Sequence, residues 1–293
     1  MDIKSIAWLV EEANKRNIRV SEVVVELEAN EQNRSITDVL KQMDEYYGVM
    51  KDSVASGRKD KFSFVTGLQN DCIELVSKFY KSGKSIFGDT VAEVVTSAMA
   101  VSGCNACMGK IVAAPTAGSC GIMPAVLTVC ENRGFKREDV VLSLFTASGF
   151  ADLIRQHATF AGAGGGCQAE CGSAAAMAAC AAAELMGGSP DECAHAFALA
   201  LSNMLGLICD PIAGFVEYPC MTKNVMSAVH AIISAELAVA GFKSIIPADE
   251  VIFAMKEVGD AMDYRFKETA LGGLAGTPTG QAISERLLGK NNN

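Results

Sequence analysis

The chain has 293 residues, half of them hydrophobic and 20% charged, with 25 Lys and Arg against 34 Asp and Glu for a formal charge of −9. That much apolar side chain builds a large core and excludes disorder as the dominant state, while the acidic balance excludes a nucleic-acid or anionic-membrane surface, which needs clustered positive charge. Only 6% of residues are aromatic and the apolar content is mainly Ala, Val, Leu and Met, which favours close-packed helices over a β-sandwich. In chain order, hydrophobic periodicity predicts helices over 3–16, 21–30, 36–56, 67–82, 89–108, 122–132, 137–154, 168–186, 191–206, 222–241 and 248–263. Val23-Val24-Val25 and Ser244-Ile245-Ile246 are the β-looking runs, too short for a sheet and without strand–helix alternation. The expected fold is therefore all-α, a single helical catalytic domain over 1–293. Its segment 1–60 is charged and amphipathic, and 57–63 (GRKDKFS) is a hinge into the apolar remainder, 61–293.

Two Ala-rich stretches, 168–185 and 225–242, raise the question of membrane insertion. The first carries Glu170 and Glu184 and the second His230 and Glu236, so neither offers ~20 uninterrupted apolar residues. The opening MDIKSIAWLVEEANKR has no long apolar stretch and no A-x-A site, so a cytoplasmic protein without a signal peptide is expected. Helix-start signals are visible at Ser35-Ile-Thr-Asp38, which resembles a capping box, and at Pro190-Asp191-Glu192.

The 11 cysteines are an odd number, unsuited to a disulfide framework, and ten lie between Cys104 and Cys220. Cys72, Cys130, Cys180 and Cys193 read as small core residues of helices. The Cys104-Asn-Ala-Cys107 pair lies inside a predicted helix with no second C-x-x-C, and reads as packing with an occasional redox role left open. Other cysteines are flanked by Gly or Pro. They fall in or beside four loops that interrupt the helices: 112–121 (VAAPTAGSCG), 161–167 (AGAGGGC), 207–220 (LICDPIAGFVEYPC) and 269–280 (TALGGLAGTPTG). Such loops inside a helical core are costly unless they serve a site.

Cys167 follows three consecutive glycines and opens a predicted helix, where unpaired N–H groups stabilise a thiolate suited to metal. A tight turn for helix packing is the plain alternative. Phosphate loops are excluded, because no Lys-Ser/Thr follows the glycines and Cys167 stands where a dinucleotide fingerprint needs Gly or Ala. Cys209 and Cys220 bracket a loop shaped by Pro211, Gly214 and Pro219, with ten residues between them. That spacing is too wide for a zinc knuckle and acceptable for an iron–sulfur cluster. Three thiols on three such backbones leave one iron open. The 112–121 loop ahead of a helix forms an anion nest suited to a carboxylate, with hydroxyls from Thr116 and Ser119 and charge from Lys110.

With these loops in view, the sequence resembles the α-chain, or catalytic domain, of bacterial iron–sulfur L-serine dehydratase over nearly its whole length. The resemblance is most specific at VAAPTAGSCGIMPAVL (112–127), GGCQAECGSAAAMAA (165–179), LGLICDPIAGFVEYPC (205–220) and ETALGGLAGTPTG (268–280). It implies a largely helical fold and a [4Fe-4S] cluster on Cys167, Cys209 and Cys220. The open iron acts as a Lewis acid on the hydroxyl of L-serine, a base removes the Cα proton, and the products are pyruvate and ammonia. The substrate carboxylate is assigned to Thr116, Ala117, Gly118 and Ser119. His157, which precedes the Gly-rich loop, is the histidine in this chain offered as base, with a partner's histidine an equal candidate; His195 and His230 sit mid-helix and read as core or surface groups. No Ser-Ser-Ser-His-Thr motif occurs and no Cys follows Cys220. A separate β-subunit and the absence of a C-terminal cysteine cap on the iron are therefore expected. The alternatives are an iron–sulfur L-cysteine desulfidase and a non-catalytic zinc or redox subunit. A pyridoxal-phosphate enzyme is disfavoured, as no Lys lies beside a strand-terminal glycine turn.

Overall fold

The computed structural model describes residues 3–59 and 63–289, so the middle of the expected hinge at 57–63 and the Asn291–Asn293 tail lie outside the described residues. Within them the chain is built from α-helices and short helical turns, and the single β-bridge joins Cys209 to Lys267. No described helix is long and apolar enough to cross a membrane.

Helices α1 (Ile6–Arg16), α2 (Val20–Gln32) and α3 (Ile36–Lys59) open the chain. Ser5 caps α1, accepting the Trp8 N–H at 2.9 Å, and the Asp249 carboxylate accepts the N–H groups of Ile6 and Ala7 at 2.8 and 3.0 Å. At Ser35 the hydroxyl accepts the Asp38 N–H, but the Asp38 carboxylate takes the Ser35 hydroxyl rather than a backbone N–H. An aspartate is one methylene too short to complete the box. The Val23–Val25 run is buried within α2, because a fully apolar helix face looks like a strand in a short window. This N-terminal segment shares one continuous core with the rest, Ile6, Leu9 and Val24 joining Phe150, Phe197 and Ile252.

Next come α4 (Cys72–Lys81), α5 (Asp89–Ala106), α6 (Ile122–Asn132) and α7 (Arg137–His157), followed by the single turn α8 (Gly162–Gly165). The helix expected over 168–186 divides into a π-helical turn, Gln168–Gly172, and α9 (Ser173–Leu185). Every residue from Ser173 to Glu184 is buried. Alanine makes this possible, since its small side chain lets α6, α7, α10 and α11 close around α9 at interior packing density. The helix α10 (Pro190–Ser202) begins with a complete capping box between Ser189 and Glu192, and α11 (Cys220–Val239) and α12 (Ala248–Ala261) follow. A last helix, α13 (Pro278–Leu288), lies beyond the helices expected from periodicity. Its start is nonetheless written as Thr277, which accepts the Gly280 N–H, with Pro278 at the first helical position.

Glu184 is buried where α2, α7 and α9 meet, and its Oε2 accepts the Ser21 N–H and the Thr146 hydroxyl while Oε1 has no partner. Burial pushes this carboxyl above its ordinary 4.5, against the pull of those hydrogen bonds. The unfolded chain ionises first as pH rises, so stability falls between 4.5 and the folded-state value. Glu184→Gln is expected to abolish that loss: its melting temperature should match wild type near pH 4 and exceed it near pH 8, by calorimetry. Close packing gives a second test. A Cβ on Gly57 of α3 would lie 2.1 Å from the Ala100 carbonyl oxygen of α5, so Gly57→Ala should lower unfolding free energy by about 1–3 kcal/mol in urea titration.

Candidate functional site

Three of the four Gly- and Pro-rich loops meet the start of α9 on one side of the helical core. Gly166, at φ +75°, turns the chain into Cys167, and a Cβ there would lie 2.9 Å from the Leu207 carbonyl oxygen. Only glycine fits that approach. Gln168 then locks the turn: its N–H donates to Leu207 O, its side-chain amide to Met255 O, and its Oε1 accepts the Gly206 N–H. Cys209 is held by its bridge, donating to Phe266 O at 2.8 Å and accepting the Glu268 N–H at 2.9 Å. Within the same loop Glu217 is buried and accepts the N–H and hydroxyl of Thr66.

The structure brings Cys167 and Cys209 together with a residue the sequence reading did not assign, Glu170. One ligand atom from each of the three lies within 4.8 Å of the others. The Cys209 thiol stands 3.8 Å from Glu170 Oε2, and the Thr116 hydroxyl donates to Oε1 at 2.8 Å. Cys220 is buried at the first position of α11, and its sulfur falls outside that tight trio. Asn224, one turn on, ties it to the 112–121 loop by donating to Cys220 O at 2.9 Å and Gly118 O at 2.7 Å, while its Oδ1 accepts the Gly121 N–H. The 116–119 turn is thus at the site, with a carboxylate seated on it. Ser119 is buried with its hydroxyl 3.1 Å from that of Thr116, Gly118 lies against the Glu170 carboxylate, and Ala117 is exposed, its carbonyl taken by Asn105.

Charge enters through Lys223, also unassigned from sequence. Its ammonium donates to Ile208 O and Asp210 Oδ1, both at 2.7 Å, and stands 3.7 Å from the Cys167 sulfur. The second oxygen of Asp210, itself 3% exposed, accepts the Leu274 N–H of the 269–280 loop. Hydrogen bonds from the Cys171 and Cys209 thiols, with the Lys223 charge, hold the Cys167 sulfur far below the ordinary thiol range in spite of burial. Their own thiols are raised in consequence. Burial, reinforced by the Cys167 charge, pushes Cys220 up to about 12. Glu170 is raised to about 7, first by burial, then by the Cys167 and Glu268 charges, against the Thr116 hydrogen bond. Burial opposes the Lys223 charge, but Cys167 and Asp210 outweigh it and raise the ammonium.

The groups offered from sequence as base and charge lie elsewhere. His157 ends α7 in an exposed position, its ring 5.2 Å from that of Phe253. Helix α7 ends before the chain turns into 161–167, so proximity in sequence does not carry the side chain inward. Lys110 is exposed beside Asp52, Cys104 and Cys107, where the start of the 112–121 loop runs over the surface. His195 faces a groove with α1, and His230 Nε2 lies 3.1 Å from Ala200 O. The signals for the missed residues were local. Glu170 stands three places after Cys167 in an Ala/Gly-rich run, and Lys223 three places after Cys220; each interrupts an apolar helix where a charge needs a reason.

Residues 15–275 match the family described as serine dehydratase alpha chain. The chain is 43% identical over 285 residues to the L-serine dehydratase alpha chain of Peptoniphilus asaccharolyticus, covering 96% of both chains. It is 45% identical over 181 residues to an L-serine dehydratase of Streptomyces coelicolor, and 40% identical over 181 residues to L-serine dehydratase 2 of Escherichia coli. Those matches cover 61% of this chain and 40% of each relative.

Removing the Lys223 ammonium leaves Asp210 buried without its cation. Lys223→Met is expected to destabilise the reduced, metal-free protein by about 3–5 kcal/mol in urea denaturation. Lys223→Arg, which keeps the charge, should recover most of that loss.

Proposed function

The chain belongs to the serine dehydratase alpha-chain family, and on that premise we propose that it is the catalytic subunit of an L-serine ammonia-lyase, eliminating water from L-serine to give pyruvate and ammonia with a separate β-subunit as partner. The single observation that carries this reading is the meeting of buried sulfurs from the 161–167 and 207–220 loops with the 116–119 turn.

The residues fit an iron–sulfur group. Thiolates are the soft donors that select such clusters or zinc, and Cys220, buried but set apart from the tight trio, suits a polynuclear group broader than a single ion. The cradle is open on its glycine sides: a Cβ on Gly162 would lie 3.1 Å from the Cys209 sulfur and 2.8 Å from Glu170 Oε2. On this reading Cys167, Cys209 and Cys220 hold a [4Fe-4S] cluster, which supplies Lewis acidity toward the serine hydroxyl when bound.

The chain's own groups do the remaining work. Thr116 and Ser119 offer hydroxyl donors and the Ala117 and Gly118 backbone lies between them, so the turn binds the substrate carboxylate where it now meets that of Glu170. Asn224 sets the turn's position relative to Cys220. Lys223 balances sulfur charge in a pocket with little water to do so. Because His157 and Lys110 do not stand among these groups, the proton acceptor for the Cα–H is assigned to the β-subunit.

Anaerobic reconstitution with the β-subunit tests the proposal. Expected are a brown α-chain with iron and sulfide in equal amounts, and pyruvate formed from L-serine faster than from L-cysteine. Thr116→Ala should raise KM for serine on the order of tenfold, the value of one charge-assisted hydrogen bond, with the cluster absorbance retained. A colourless zinc protein, or loss of the absorbance in Thr116→Ala, overturns the assignments.

A further inference from the structure

Glu170 is the unexplained charge of the site. Its carboxylate is partly buried among sulfurs and within reach of the repulsive charges of Cys167 and Glu268. Its hydrogen-bond partners are the neutral hydroxyl of Thr116 and the Cys209 thiol. Lys223, whose ammonium reaches the Cys167 sulfur, is already committed to Asp210 and Ile208 O. A carboxylate in low dielectric without a cation is strongly destabilised, and the usual remedies are neutralisation or a metal.

The surroundings select the metal. Thr116 occupies Oε1, leaving Oε2 directed toward the sulfurs, 3.8 Å from Cys209. Glycines line the carboxylate on two sides: a Cβ on Gly118 would lie 2.9 Å from Oε1, and one on Gly162 would lie 2.8 Å from Oε2. Any other side chain would displace the carboxylate, so the backbone is cut away to admit it there. The π-helical turn over Gln168–Gly172 carries Glu170 to the same side as the Cys167 sulfur, and such turns recur where a helix must aim a functional side chain. An oxygen donor thus stands within 4.8 Å of the Cys167 and Cys209 sulfurs. The three loop cysteines serve three of four metal corners, while the Cys171 thiol is spent on its hydrogen bond to Cys167 and lies outside that group.

We propose that Glu170 Oε2 is the resting ligand of the iron left without a thiolate by Cys167, Cys209 and Cys220, and that the hydroxyl of the amino-acid substrate displaces it. The step is a ligand exchange: one iron–carboxylate bond breaks, one iron–hydroxyl bond forms, and no electron changes hands. The released carboxylate keeps its Thr116 hydrogen bond until the substrate carboxylate claims that turn. This inference rests on the iron–sulfur reading of the site.

The test uses holoprotein reconstituted with iron and sulfide, labelled with ¹³C at glutamate carboxyl carbons, reduced, and read by electron–nuclear double resonance. Expected is a ¹³C coupling to the cluster in the wild type, lost on adding L-serine and absent from Glu170→Gln that retains its absorbance and its helical circular dichroism. A fully loaded wild type without the coupling, or a Glu170→Gln protein that keeps it, overturns the role of Glu170 while leaving the cluster in place. A wild type that binds no iron and sulfide overturns the reading of the site itself, and this role with it.

Discussion

Sulfur anions and carboxylates cannot share a buried pocket unless positive charge is brought to them. In this protein Lys223 brings it, through a network that is as much architectural as electrostatic. Its ammonium reaches the sulfur of Cys167, the carbonyl of Ile208 and the carboxylate of Asp210, and Asp210 in turn holds the backbone of Leu274. One cation on α11 thereby fixes the Gly-rich turn before α9, the 207–220 loop and the 269–280 loop in mutual register. Beyond single helical turns, the bridge at Cys209 and the first residues of α13, these loops have little regular structure to set their positions, so the charge balance and the loop geometry are a single problem.

The helical frame serves that solution by being rigid and thin-walled. An alanine-rich α9, buried along its length, allows its neighbours to pack closely. The ends of α9 and α11 are therefore held near each other, and Cys167 and Cys220 begin from fixed backbone positions. Glycine does the complementary task at the site. Gly166 passes against Leu207, while Gly118 and Gly162 border the Glu170 carboxylate, and in each case a single methyl group would collide. The same small-residue economy explains why Gly57 can sit against the backbone of α5.

Much of the fold was legible because most helices obey local rules. The apolar period, the Ser189–Glu192 box and Pro190 place α10 within a few residues, and α5, α6 and α12 lie close to where periodicity puts them. The errors have local causes too. A glycine run before α13 masked a helix whose cap, Thr277, and first residue, Pro278, were present. The inserted π turn was invisible because its residues, Gln168 to Gly172, fit an α-helical pattern equally well. At the site the sequence pointed to loops rather than to partners. It drew attention to Cys167, Cys209 and the 116–119 turn by their glycines and prolines. It passed over Glu170 and Lys223, whose charges in apolar helices were the available signal, and Asp210 and Asn224, which look like ordinary loop and helix residues until their neighbours are known.

What the sequence determined by itself is the helical class and which four loops depart from it, since both follow from interactions within a few residues along the chain. Which side chains face one another was decided only by the tertiary structure. His157 and Glu170 flank the same glycine-rich segment, yet one ends on the surface against Phe253 and the other beside Cys209. The difference arises from the angle at which α7 ends and α9 begins, and that angle is set by packing against helices distant in sequence, α2 against α7 and α11 against α9.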